Sequence, residues 1–261
     1  MKPLSQLAVK IYGDGADLAG IQELSRLPFI KGFTTNPTLM RKAGVPDYEQ
    51  FAAQVLKLIP DRPVSFEVLA DDAETMASQA RYIAGWGANV YVKIPVTNTR
   101  REPMYPLIHR LSQEGIHINV TALLTLEQVR EATKALRGGA PSNVSIFAGR
   151  IADTGRDPIP IMAEAVAILR DNPHSELIWA SPRELLNIYH AEQSGCHIIT
   201  VTNDVLKKLH LIGKDLSDYS LETVKMFYDD GVKSGYMLEP AKLVAETPDR
   251  ASAAAKKRAV S

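Results

Sequence analysis

The segment Val90–Val96 reads VYVKIPV, an apolar run with one lysine at its centre. An ammonium taken out of water must be paired or must lose its proton, because burial disfavours the charged form. A lysine amine that sheds its proton there is a nucleophile toward a carbonyl carbon. The competing reading is that Lys93 lies near a strand end and snorkels, burying only its methylene stem. Its neighbours have to decide between the two.

Other reactive side chains sit in comparable runs. Glu67 interrupts SFEVL, where an unpaired carboxylate is as costly as the lysine. Asn119 and Thr121 are two apart in NVTAL, as are Ser65 and Glu67, and Tyr91 and Lys93, so each pair shares one strand face. Asp14, Thr34, Asn36, Ser145, Arg150, Ser181 and Arg183 lie in, or just beyond, further runs of this kind. Metal catalysis fits poorly, since the six histidines show no HExxH or paired-ligand spacing and the single Cys196 excludes a cysteine-based zinc cluster.

The scaffold that must hold these groups is also written in the sequence. Eight β-rich runs recur: VKIYGD, FIKGFTT, VSFEVL, VYVKIPV, HINVTAL, NVSIFAG, ELIWAS and HIITVT. Between them lie helix-patterned segments, two of which, DLAGIQELSRL and DYEQFAAQVLKLI, open on an aspartate suited to capping. Gly115 and Gly195 follow their helices as expected C-terminal caps. Strict alternation with no linker predicts an α/β fold, a (β/α)8 TIM barrel. An open doubly wound sheet is the alternative, but no GxGxxG or GxxxxGK[ST] motif supports it. The eighth helix is expected in DVLKKLHLIG, and SLETVKMFYDDGVKSGYML reads as an extra C-terminal helix suited to cover a barrel end or reach a neighbouring subunit. Residues 1–238 are thus expected as one barrel with that helix, and 239–261 as a mobile tail.

Composition narrows the partners. Thirty Lys+Arg against 30 Asp+Glu leave a formal net charge of zero, so no global field attracts nucleic acid or an anionic membrane, and any anion site must be local. No stretch approaches the ~18 apolar residues of a membrane span, and MKPLSQLAVKIYGDG lacks a signal-peptide core. One cysteine fits a reducing compartment, so a soluble cytoplasmic protein is expected.

A barrel gathers its reactive residues at the C-terminal ends of the strands, which places all of the groups above on one rim. Bland roles exist for several of them. Asp14 or Asp17 could cap the first helix, Asn36 before Pro37 is a turn signal, Asn119 and Thr121 could satisfy backbone groups, and Arg183 could be an exposed first-turn helix residue. Taken jointly, a lysine ringed by carboxylates, amides and hydroxyls is the arrangement for imine chemistry on a carbonyl substrate.

These residues resemble the transaldolase family, including its fructose-6-phosphate aldolase relatives, over roughly residues 8–238. GFTTNP at 32–37, VYVKIPV at 90–96, NVTAL at 119–123, SIFAGRIAD at 145–153 and WASPREL at 179–185 match the family's segments in order. The resemblance implies that Lys93 forms a Schiff base, that Asp14 exchanges the proton of the substrate C4 hydroxyl, and that Asn36 and Asn119 hold hydroxyls of a dihydroxyacetone unit. It implies further that Glu67 and Thr121 position a proton-shuttling water near Ser145, and that Arg150, Arg183 and Ser181 grip a sugar phosphate. Glu67 and Phe147 stand where the aldolase relatives carry glutamine and tyrosine, which favours transfer over release of dihydroxyacetone. The sequence departs from the family in YGDGAD, where glycines flank the aspartate, and in being shorter than many transaldolases. The implied function is transfer of a dihydroxyacetone unit between sugar phosphates by a homo-oligomer with no cofactor. Aldolase-type cleavage, a transaldolase for an unusual sugar, and a non-catalytic sugar-phosphate-binding barrel are the alternatives.

Overall fold

Val, Ile and Phe dominate the strand runs because a parallel sheet covered on both faces favours branched and bulky side chains. The computed structural model, which describes residues 2–238, folds these runs into eight strands. They are β1 (Lys10–Asp14), β2 (Ile30–Thr34), β3 (Val64–Glu67), β4 (Val90–Pro95), β5 (Ile118–Leu123), β6 (Ser142–Ile146), β7 (Ser175–Trp179) and β8 (Ile198–Thr202). Each pairs in parallel with the next, and β1 closes on β8 with Tyr12 opposite Thr200, giving the expected (β/α)8 barrel.

Several of the crossover helices start at side-chain caps. Asp17 accepts the Ala19 and Gly20 amides to begin α1 (Leu18–Ser25), and Asp47, beyond the short α2 (Pro37–Lys42), accepts the Gln50 amide to begin α3 (Tyr48–Leu58). Then come α4 (Ala73–Ala84), α5 (Tyr105–Gln113) and α6 (Leu126–Leu136), the last opened by a capping box between Thr125 and Gln128. After β6 the chain makes α7 (Ala148–Ala152) and α8 (Pro158–Leu169), and α9 (Leu186–Gln193) precedes β8. Gly115 and Gly195 take φ of +87° and +72°, as C-terminal caps require.

Three boundaries differ from the sequence reading. The segment PRELLNIYHAEQSG, in which Arg183 could have been a first-turn helix residue, becomes helical only at Leu186, because the Arg183 and Glu184 amides turn back onto Asn187 Oδ1 at 2.7 and 3.2 Å. DVLKKLHLIG, read as one helix, divides into α10 (Asn203–Leu206) and a 3-10 turn at Leu209–Leu211. The extra helix α11 (Leu216–Ser234) begins four residues before SLETV, where Asp215 accepts the Ser217 and Asp218 amides.

The principal core lies between the outer strand faces and the helices. A second, small cluster of Tyr12, Ile178, Ala180 and Ile198, with Phe147 against it, fills the inside. Tyr12 is two residues before Asp14 on the same face, so this plug forms the floor beneath the rim. It explains Gly32, where a Cβ would stand 2.5 Å from the Tyr12 ring.

The barrel unit extends to His210, and a second unit begins at Leu211. Its described part is dominated by α11, no residue of which is buried. The tail expected over 239–261 lies outside the described residues. No helix among the described residues is long and apolar enough to cross a membrane.

Candidate active site

The parallel register sets Glu67 opposite Lys93 and Lys93 opposite Asn119, one level across β3, β4 and β5. Lys93 is 6% exposed, and its Nζ donates to the Thr35 carbonyl at 2.7 Å and to Glu67 Oε2 at 3.0 Å. The lysine therefore does not snorkel. It is buried and paired, and a carboxylate at hydrogen-bonding distance is positioned to take its proton.

Asp14 is not a helix cap; that role falls to Asp17. Its Oδ1 accepts the Thr34 hydroxyl at 2.8 Å, and Thr34 is 2.5 Å from the hydroxyl of Thr200. Burial pushes the Asp14 carboxyl above the usual aspartate range, opposed by the nearby Lys93 charge and the Thr34 hydrogen bond. Asn119 is locked by its neighbours: Nδ2 donates to Ser65 Oγ at 3.1 Å and Oδ1 accepts Ser145 Oγ at 2.7 Å. Thr121 Oγ1 is buried without a protein partner, which leaves its hydrogen-bonding capacity to a group in the cavity. Asn36 does cap α2, through Oδ1 to the Leu39 amide at 2.9 Å, which leaves its amide group free to donate.

Asp14, Thr34, Asn36, Glu67, Lys93, Asn119, Thr121, Ser145 and Thr200, together with Phe147, Arg150, Ser181 and Arg183, line one cavity of about 490 Å3. Two of the three non-glycine residues with positive φ among the described residues, Ala122 (+64°) and Ser181 (+60°), lie in its wall. Such strained backbone concentrates at functional sites. The Ala122 strain coincides with a register shift between Val120 and Leu123 in the β5–β6 pairing.

On the far wall Arg150 stacks over Phe147, its guanidinium carbon 5.7 Å from the ring centroid. Arg183 is held by Asp153, through Nε to Oδ1 at 3.1 Å and a second contact from Nη2 to Oδ2. Gly149 brings the turns that carry these arginines together: a Cβ on it would lie 1.6 Å from the Ser181 carbonyl oxygen. No helix N-terminus follows directly on Ser181, since α9 starts at Leu186 and the Arg183 and Glu184 amides donate to Asn187 Oδ1. Among the described residues no group of three or more His, Cys, Asp or Glu is arranged to hold a metal.

The profile of the family described as Transaldolase/Fructose-6-phosphate aldolase matches residues 11–239. The chain belongs to this family. Among curated relatives, a probable transaldolase of Dehalococcoides mccartyi is 37% identical over 77% of this chain and 90% of that one. One from Streptococcus agalactiae is 35% identical over 85% and 98%, respectively. Solved structures include thiamine phosphate pyrophosphorylase from Pyrococcus furiosus, with a TM-score of 0.51, 13% identity and coverage of 77% of this chain and 92% of that one. A mandelate oxidase variant has a TM-score of 0.53 at 13% identity, covering 77% of this chain and 71% of that one. Those two likenesses are of fold alone.

In this transaldolase-family barrel the sequence reading overlooked several wall residues. Thr200 and Thr202 share a face of β8 and were open to the same alternation test that found Asn119 and Thr121. Lys42, at the end of α2, also lines the cavity; nothing in its local sequence marks it. Asp153 closes the SIFAGRIAD segment, but its pairing with Arg183 spans 30 residues.

Asp14 gives a test of site electrostatics independent of any substrate. Its folded-state pKa is raised, so the folded protein keeps the proton over a pH range in which the unfolded chain has lost it. The contribution to stability is full below the ordinary aspartate range and is lost as pH rises through the folded-state value. Asp14→Asn removes that ionisation and should melt above the parent at about pH 7, with the gain disappearing near about pH 3. A variant less stable than the parent at neutral pH would contradict the assignment of burial as the dominant influence on Asp14.

Proposed function

We propose that this chain is a Schiff-base transaldolase, moving a dihydroxyacetone unit from a ketose phosphate such as fructose 6-phosphate to an aldose phosphate. The observation that carries the reading is the buried Lys93, 3.0 Å from Glu67 in the wall of a polar cavity. Glu67 takes a proton from the ammonium, and the free amine attacks the C2 carbonyl to give a carbinolamine. Protonation of its hydroxyl releases water and leaves an iminium on Lys93. Asp14 then takes the C4 hydroxyl proton as the C3–C4 bond breaks. The electron pair moves into the iminium to form an enamine, and the aldehyde leaves. An acceptor aldehyde adds at C3, Asp14 returns its proton, and hydrolysis frees the amine.

The raised pKa of Asp14 suits a group that both takes and returns a proton. Asn36 and Asn119 supply amides for the hydroxyls of the three-carbon unit. Arg150 and Arg183, with the Ser181 hydroxyl, supply a local anion site in a chain without net charge. Phe147 packs against the plug and carries no acidic proton, so the enamine waits for an acceptor. The expectation of a homo-oligomer is supported by α11, whose Leu216, Val224, Phe227 and Tyr228 are all exposed.

Borohydride reduction in the presence of fructose 6-phosphate tests the mechanism: the sugar-derived mass should appear on the peptide containing Lys93, and its appearance on another lysine would overturn the assignment. Acceptor dependence tests transfer against cleavage. Without an aldose phosphate, free dihydroxyacetone should form only slowly, and Phe147→Tyr should increase that release. Release by the parent protein as fast as transfer would make it an aldolase.

A further inference from the structure

We propose that Tyr48 is a positioning residue for Glu67, its hydroxyl replacing a missing rung of the barrel ladder at the catalytic level. The proposal rests on Glu67 being the partner of the imine-forming lysine. Strands β2 and β3 pair only at Phe33 with Val64 and at Thr34 with Ser65. The last rung between them is the Thr35 amide donating to the Ser65 carbonyl at 3.1 Å. In a continued parallel ladder the Glu67 amide would donate to the Thr35 carbonyl. That carbonyl instead accepts Lys93 Nζ at 2.7 Å. The Thr35 carbonyl thus serves the lysine, and the Glu67 amide finds its partner outside the ladder.

Tyr48 supplies both halves of the replacement. Its oxygen accepts the Glu67 amide at 2.7 Å, and its hydroxyl donates to the Glu67 carbonyl at 2.9 Å. On the other side β3 remains laddered to β4, with the Val68 amide on the Lys93 carbonyl at 3.1 Å. The phenol therefore closes the one break at Glu67, where an unpaired amide and carbonyl would leave the strand end free to move. Its own place does not depend on the hydroxyl. Tyr48 opens α3 directly after the Asp47 cap, and its ring meets Phe66 and Trp86 edge-on, with centroids 6.3 and 5.6 Å away. Burial raises the phenol pKa further above neutrality, which keeps the donor proton in place.

Tyr48→Phe preserves the ring and deletes the bridge. In the parent protein the Glu67 amide should exchange with solvent as slowly as its laddered neighbour Phe66. In the variant it should lose that protection while Phe66 keeps its own. Turnover should fall about 10- to 100-fold, the usual scale for misplacing a reacting group by about 1 Å. In a Glu67→Gln background the same change should cost less than about threefold, because the group being positioned is already gone. Losses that multiply in full across the two backgrounds would mean that Tyr48 supports the fold alone. Rapid exchange of the Glu67 amide in the parent overturns the proposal without any variant. Competitive acetylation by acetic anhydride needs no sugar: Lys93 should be labelled faster, relative to other lysines, in Tyr48→Phe. An unchanged labelling rate defeats the positioning role even where borohydride trapping has separately refuted the imine.

Discussion

Lys93→Met is expected to lower transfer by about 10⁴-fold or more, the scale on which loss of a covalent nucleophile is felt. Methionine reproduces most of the stem volume, so the loss would not come from a collapsed wall. Two groups lose their donor, however: Glu67, with 19% of its side chain exposed, and the buried Thr35 carbonyl. Leaving them unpaired should cost about 1 to 3 kcal/mol of stability. Pairing the change with Glu67→Gln should recover part of that stability and none of the turnover, because removing both members of an ion pair is milder than removing one. A coupled transfer assay and urea melts on the three variants check this. Residual turnover within about tenfold of the parent would require another nucleophile.

The second large effect is expected at the anion wall. Arg183→Ala should reduce kcat/KM for a phosphorylated ketose by about 1.5 to 3 kcal/mol, the range for a charge-assisted hydrogen bond, and leave an unphosphorylated ketose nearly unaffected. Asp153 holds the guanidinium at two of its nitrogens, so the side chain is oriented before any anion arrives. Both members are about half exposed, at 49% and 52%, so solvent screening makes the pair a minor source of stability and Arg183→Ala should melt close to the parent. Equal losses on phosphorylated and unphosphorylated substrates would reassign Arg183 to the fold and remove the physical support for a phosphate site.

Much of the site was legible in the sequence because barrel architecture converts position along a strand into position on a rim. Asp14, Glu67, Lys93 and Thr121 lie at the C-terminal ends of β1, β3, β4 and β5, and all four reach one cavity. Asn36 shows how a bland role and a reactive one coexist: its oxygen caps α2 while its amide remains available. The anion wall was less legible. Arg183 could have been a first-turn helix residue, but Asn187 captures the Arg183 and Glu184 amides and the helix starts only at Leu186; a side chain reaching back four residues leaves no trace in hydrophobic periodicity.

The alternation of strands and helices and the faces on which the reactive residues lie were legible in the sequence, whereas the choice between a snorkelling and a buried Lys93 was made by the fold. The first two are local properties, set by a period of two along a strand and by turn and capping chemistry within a few residues. Tertiary structure alone decided the partners. Glu67 meets Lys93 across 26 residues, Asp153 meets Arg183 across 30, and Tyr48 reaches the Glu67 backbone from a helix whose own pattern gives no hint of it. Each of these contacts depends on strand register and on where β2 leaves the ladder, and register is fixed only when the barrel closes and its inner and outer faces pack together.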